Sequence, residues 1–272
     1  MDGTVKVASS LAALVALFAL GWILFEVIAK GAGAFDLQFF TRLPTPPGVS
    51  GGGLASAMVG TFMITLVATL LGVPVGIFAG IYLAEFGLDS KFSVTVRFVS
   101  NIIMGTPSII IGVFIYALIV ARTGNFSGYA GGVALAIIML PVVARTTEDM
   151  LYLVPNSLRE SALALGSPRW KATLGVIFRA AKSGLLTGVL LAVARVSGET
   201  APLLFTALNS PYWPSVSMNE PTANLTVTIF NYAMSPYSDW KSQAWGASLL
   251  IMIVVLGLAV FSRLLFKGKA DK

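Results

Sequence analysis

Arg195 and Glu199 stand four residues apart in LAVARVSGETAPLLF (191–205), inside an otherwise apolar run. A charge at the centre of a membrane helix costs about 2.5 to 3.5 kcal/mol on insertion scales, and ionisable residues placed there mark substrate or ion paths by default. Arginine offers a planar fork of donors that suits an oxyanion and stays charged at any working pH. Glu199 can accept a hydrogen bond from a protonated oxyanion oxygen, or hold Arg195 until a substrate displaces it. Ser197 and Thr200 are secondary candidates for lining the same path, since small hydroxyls more often serve helix packing. Thr106 and Ser108, flanking Pro107, rank below them. The competing reading is an i,i+4 ion pair that only makes both charges tolerable. Arg before Glu is the weaker order, and a buried pair often costs more than it returns, so the pathway reading is preferred.

A helix must position these groups. At 100° per residue Gly184, Gly188, Ala192, Arg195 and Glu199 share an arc of about 80°, while Leu185, Leu186, Val189, Leu190, Val193 and Val196 lie opposite. Small residues at this spacing face a close neighbour and large aliphatics face lipid, which turns the charges toward the bundle interior or a water-filled path. Pro202 cannot donate to the Gly198 carbonyl and should bend the helix just beyond the charged pair.

The remainder of the chain supplies the membrane. Its 272 residues are 56% hydrophobic and 11% charged, the composition of an all-α, polytopic membrane protein. Six apolar stretches, at about 7–29, 55–84, 98–121, 131–146, 184–208 and 244–266, are long enough to cross a bilayer. The first is read as a retained helix, not a removed signal. Pro74, Pro107 and Pro141 fall inside spans and predict kinks or breaks. The segment 206–243, rich in Trp and Tyr, reads as an interfacial loop. Residues 1–54 form a first helix and an extracytoplasmic loop; residues 55–272 form the main transmembrane domain, with a cytoplasmic loop at 146–183.

With both termini in the cytoplasm, 13 of the 18 Lys and Arg lie inside, four lie outside, and Arg195 stays in the membrane. This bias explains the net charge of +6 without nucleic acid. There is no Cys and no His. Disulfides, thiolate and imidazole metal sites and His general bases are therefore excluded, and the usual toolkit of a membrane enzyme is missing.

The inside loop reads TTEDMLYLVPNSLRESALALGSPRWKATLGVIFRAAKS. Asn156 or Ser157 can cap a helix, Leu158, Ala162 and Leu165 repeat at helical spacing, and Gly166 can end it in the left-handed conformation. Ser167 and Pro168 then start a second short helix. On these grounds alone the pair is a compact knob or an amphipathic connector resting on headgroups.

RESALALG followed by SPRW resembles the cytoplasmic loop of ABC importer permeases, in which Glu-Ala-Ala is followed by three residues and Gly, and later by Ile-x-Leu-Pro. Glu160, Ala162 and Gly166 match; Ser161 replaces the first Ala, and Val176, Phe178 and Arg179 stand where Ile, Leu and Pro would. Together with LPVVARTTEDMLYLVPNSLRE, ARVSGETAPLLFTAL and TVTIFNYAMSPY, the loop resembles the phosphate-specific branch, the PstA-type permease subunits, from about residue 55 to the end.

The resemblance implies a type I ABC importer permease fold and half of an ATP-driven phosphate pathway in the bacterial inner membrane. It implies a second homologous permease subunit, two ATP-binding subunits and an extracytoplasmic phosphate-binding protein as partners. Glu160, Ala162 and Gly166 would then dock on the ATPase. No GxxxxGK[ST] occurs in the chain, so ATP is expected to be used by a partner and no cofactor or metal by this subunit. Alternatives are a permease for sulfate, molybdate or phosphonate, and, from another class, an ion-coupled secondary transporter. The knob and the lack of a repeat between halves weigh against the latter.

Overall fold

The computed structural model describes residues 2–87, 90–214 and 217–267. Helix α1 (Asp2–Gly31) is followed by a short α2 (Leu37–Thr41), whose N-cap Asp36 accepts from the Phe39 amide at 2.7 Å. The second span, α3 (Ala55–Ile81), carries Pro74 and continues into a π turn, Tyr82–Phe86. Together they extend over 32 residues, longer than a perpendicular crossing requires.

The third span departs from the expected single run over 98–121. Helix α4 (Lys91–Gly105) stops at Thr106, and α5 (Ser108–Ile115) restarts after Pro107 at an angle of 103°. Proline lacks an amide hydrogen and disfavours helical geometry in the residue before it, which is why the break falls there. The path continues through a π turn (Tyr116–Val120) into α6 (Ala121–Thr123). Among the described residues five helices are long and apolar enough to cross a bilayer, or six spans if the bent pair counts as one.

Helix α7 (Gly128–Tyr152) forms the centre of the bundle, with 67% of its most apolar stretch buried against none for α1. It accepts Pro141 and runs past the expected loop boundary at 146. A ridge of small residues brings α3 onto it: a Cβ on Gly76 would meet the Val143 side chain at 2.8 Å, and one on Gly80 the Ala144 carbonyl at 2.5 Å. Such close approach is how membrane helices gain packing energy when lipid removes any hydrophobic drive to associate. The main core, with Ile64, Leu135, Met139, Val143, Val196 and Leu203, lies along this seam.

After α7 come α8 (Asn156–Ala164) and α9 (Arg169–Ala172), then a π turn (Thr173–Ile177) leading into α10 (Phe178–Val196). Residues 169–196 make one span-length helical run, so the connector between it and α7 is shorter than 146–183. The small face of α10 meets α7 as its spacing predicts, with Gly188 against Thr146 and Gly184 against Met150.

The helix stops earlier than its apolar run, however. Ser197 caps it, a turn follows, and a separate helix α11 (Ala201–Leu204) begins at Thr200 with Pro202 in its first turn. The expected bend beyond the charged pair is instead a helix end between the two charges. Ser and Gly are poor helix formers, and Pro is tolerated in a first turn where its missing amide has no acceptor to serve.

The segment read as an interfacial loop also contains α12 (Leu225–Ala233), capped by Asn224, before the last span α13 (Ser238–Lys267).

Candidate functional site

The break between α4 and α5 faces the end of α10. Thr106, Pro107 and Ser108 line one side of a cleft of about 250 Å³; Arg195 and Glu199 line the other, and Ile138 and Val142 of α7 form its apolar wall. The sequence ranked Thr106 and Ser108 low, because nothing in their local spacing links them to residue 195. Only the 103° bend brings them there.

Arg195 occupies the last turn of α10, where the negative end of the helix dipole favours a cation. Glu199 follows in the turn, its amide donating to the Val196 carbonyl at 3.1 Å. Among the described residues the two side chains form no ion pair, and neither has a hydrogen-bond partner. The i,i+4 pairing reading therefore fails, since the helix that would have stacked them has ended. Arg195 is exposed on the chain and Glu199 is half-buried. The charges thus line a cleft that opens at the surface of this chain.

A second layer holds Glu199 in place. The Thr226 hydroxyl shares its proton between the Glu199 carbonyl at 2.9 Å and Asn224 Oδ1 at 3.1 Å. Asn224 Oδ1 also accepts from the Val227 amide at 3.0 Å, and its Nδ2 donates to the Leu208 carbonyl at 3.0 Å. Asn224 and Thr226 were missed in the sequence, although an Asn ahead of the alternating LTVTIF run is a cap signal.

Ser197 and Thr200 do not join the cleft lining. The Ser197 hydroxyl donates to the Ala194 carbonyl at 2.8 Å, and the residue borders a separate apolar groove of about 700 Å³ between α3, α10 and α13. Thr200 occupies the N-cap position of α11 without a side-chain cap bond. Among the described residues no three acidic side chains are grouped to share a metal ion.

The other candidates sit on α8, at the opposite end of α7. Pro155, not Asn156 or Ser157, occupies the N-cap position, and Asn156 Oδ1 accepts from Arg159 Nη1 at 3.2 Å. Gly166 adopts φ +80°, with its amide donating to the Leu163 carbonyl at 2.9 Å and Ser167 reaching the Ala162 carbonyl at 3.2 Å. This is the Schellman closure, and the left-handed φ is the reason for glycine. Ala162 is buried beneath the helix, the exposed Glu160 side chain has no partner among the described residues, and Leu165 projects at 87% exposure.

Comparison with known proteins matches residues 72–268 to the family described as binding-protein-dependent transport system inner membrane component. The chain is 51% identical over 261 residues to the phosphate transport system permease protein PstA of Haemophilus influenzae, covering 96% of this chain and 92% of that protein. It is 36% identical over 250 residues to the probable phosphate transport system permease protein PstA of Methanocaldococcus jannaschii, covering 91% and 87%. Its fold is similar to a chain of the inward-facing MetNI methionine ABC transporter, with TM-score 0.66, 20% identity and coverage of 78% of this chain and 94% of that one. It is also similar to a chain of the bacterial alginate ABC transporter bound to its periplasmic protein, with TM-score 0.68, 11% identity and coverage of 98% and 95%. A break that faces an unpaired Arg–Glu couple and a Gly-closed knob at the far end of α7 thus lie within a known architecture, and the chain belongs to the binding-protein-dependent transport system inner membrane components, in their PstA permease branch.

Proposed function

We propose that this chain is the multi-pass permease subunit of an ATP-driven phosphate importer in the bacterial inner membrane, that both its termini are cytoplasmic, and that it supplies one wall of the translocation path. The observation that carries this reading is the surface-open cleft that sets Arg195 and Glu199 against the 106–108 break. The guanidinium fork offers paired donors to phosphate oxygens, and Glu199 accepts from the protonated oxygen of monobasic phosphate. A site with one fork, open at the chain surface, gives a passing contact. Transport requires that, since a path that holds its cargo tightly does not release it.

The wall opposite belongs to a second, homologous permease subunit, and capture of dilute phosphate to an extracytoplasmic binding protein. Glu160, Ala162 and Gly166 form the docking element for a dimer of ATP-hydrolysing subunits: Ala162 seats the helix, Gly166 closes it, and Glu160 meets basic groups. The exposed Leu158, Leu163 and Leu165 beside Glu160 support a protein partner there. The PstA names of the relatives support phosphate over other oxyanions.

The test is uptake of labelled phosphate by the reconstituted assembly, with sulfate as competitor. Uptake that needs ATP hydrolysis and resists excess sulfate is expected. Equal transport of sulfate would overturn the substrate, and uptake driven by an ion gradient with an inactive ATPase would overturn the transport class.

A further inference from the structure

We propose that Arg97 is a coupling residue: through one π turn it links the knob to α4, and α4 carries that link to the Thr106–Pro107 rim of the cleft. The inference rests on the docking role assigned to the knob.

The knob does not hang freely. The Arg159 guanidinium, 19% exposed, donates to Glu85 Oε1 at 2.8 and 3.1 Å and to the carbonyls of Leu151 and Val154 at 2.6 and 2.5 Å. Glu85 belongs to the π turn Tyr82–Phe86 at the end of α3. The first turn of α8 is thereby bolted to the last turn of α7 and to that π turn.

A second arginine holds the same π turn from the other side. Arg97 Nη2 donates to the Leu83 carbonyl at 3.1 Å and to the Tyr152 hydroxyl at 3.3 Å, while its Nε donates to Glu148 Oε1 at 2.7 Å. Glu148 is 2% exposed; its other oxygen has no hydrogen bond, only Arg145 Nη1 at 3.5 Å. Ser93 is the one residue of α4 buried in the chain. These polar contacts are therefore a principal tie between α4 and the bundle. From Arg97 nine helical residues, about 13 Å of rise, lead to Thr106.

Charge-assisted bonds from a planar fork fix direction as well as distance. A buried ion pair, by contrast, is poor evidence for stability, because an apolar pair of similar volume usually serves as well. The arrangement suits transmission. Movement of the knob displaces the π turn through Arg159, the π turn displaces α4 through Arg97, and α4 moves the cleft rim against Arg195.

The double variant Arg97→Leu, Glu148→Leu removes the link without leaving a buried charge. Because the chain has no Cys, spin labels can be placed in it in chosen pairs, Ile102→Cys on α4 with Leu256→Cys on α13, and Ser157→Cys on the knob with Leu256→Cys, within an importer whose partner subunits are made free of Cys. In the otherwise unaltered importer both distances should shift on ATP binding. In the double variant the knob shift should persist, the α4 shift should vanish, and ATP consumed per phosphate carried should rise at least tenfold. An undiminished α4 shift, or an unchanged ATP to phosphate ratio, overturns the proposal. Loss of assembly in the double variant overturns it as well, in favour of a purely structural pair. If the knob itself does not move with ATP in the unaltered importer, the docking role fails first and this inference falls with it.

Discussion

Gly112 of α5 lies directly against the backbone of Pro202 in α11: a Cβ at 112 would stand 2.6 Å from the Pro202 Cα and 3.0 Å from its carbonyl oxygen. Residues from two distant stretches, one after each helix break, thereby lock together and set the two sides of the cleft. The backbone of Pro202 cannot move aside without shifting the turn that carries Glu199. Overpacking of this kind costs about 1 to 3 kcal/mol. Gly112→Ala should lower the thermal midpoint of the purified subunit and cut uptake, and Gly112→Val should do both more severely. An alanine variant with parental stability and uptake would show that the contact gives way freely.

The Arg195 side chain has no partner among the described residues, so its removal should leave the fold of the chain intact. A hydrogen bond to a charged group is worth about 1.5 to 3 kcal/mol, which corresponds to roughly a 10- to 150-fold loss of uptake for Arg195→Ala. Arg195→Lys keeps the charge without the fork and should fall between the two. Uptake of labelled phosphate, normalised to assembled complex, makes the comparison. Full transport by the alanine variant would reduce this wall of the cleft to a scaffold.

At Gly166 the φ of +80° and the open space around the α-carbon separate backbone strain from crowding. A residue with a side chain pays about 1 to 2 kcal/mol in the left-handed region, with Asn and Asp penalised least. Gly166→Asp should insert normally yet uncouple ATP hydrolysis from uptake, because it adds a charge to the surface proposed to dock. Gly166→Asn, similar in backbone cost and without the charge, should retain more transport. Equal defects in the two would assign the effect to the turn itself.

Asn224 caps α12 and, with Thr226, secures the Glu199 carbonyl. Loss of an Asn cap costs about 0.5 to 2 kcal/mol. Asn224→Ala should speed hydrogen exchange at the Val227 amide and in the 197–200 turn, and lower uptake without loss of membrane insertion. Asn224→Asp keeps the acceptor for Val227 while losing the donor to Leu208, and should therefore protect the Val227 amide.

Much of the cleft was legible residue by residue. Arg195 and Glu199 declared themselves through charge in an apolar run, and the small face of α10 makes the expected contacts at Gly184 and Gly188, whereas Leu185 and Val196 of the face expected toward lipid are buried in the bundle. The error lay in carrying that helix through Ser197 and Gly198, because hydropathy records whether a segment is apolar and not where its hydrogen-bond ladder stops. Gly166 was readable for the opposite reason: a helix end closed by glycine is a local event. The arginine bonds around the π turn, from Arg97 to Glu148 of α7 and from Arg159 to Glu85 of the turn itself, join positions separated by 51 and 74 residues in sequence and left no periodic trace.

The sequence by itself determined the membrane class, the number of apolar stretches, the knob and the charged couple. All of these follow from composition, local propensity and helical period, which act over a few turns. Tertiary structure alone decided that the third span bends by 103° to face Arg195, that Arg195 and Glu199 do not pair with each other, that Ser197 turns to another groove, and that α12 secures Glu199. Those outcomes depend on which backbones can approach closely, at Gly76 and Gly80 on α7 and at Gly112 on Pro202, and on where buried carbonyls find donors across the bundle. Close approach and polar satisfaction are properties of pairs of segments, so they are settled only when the segments meet.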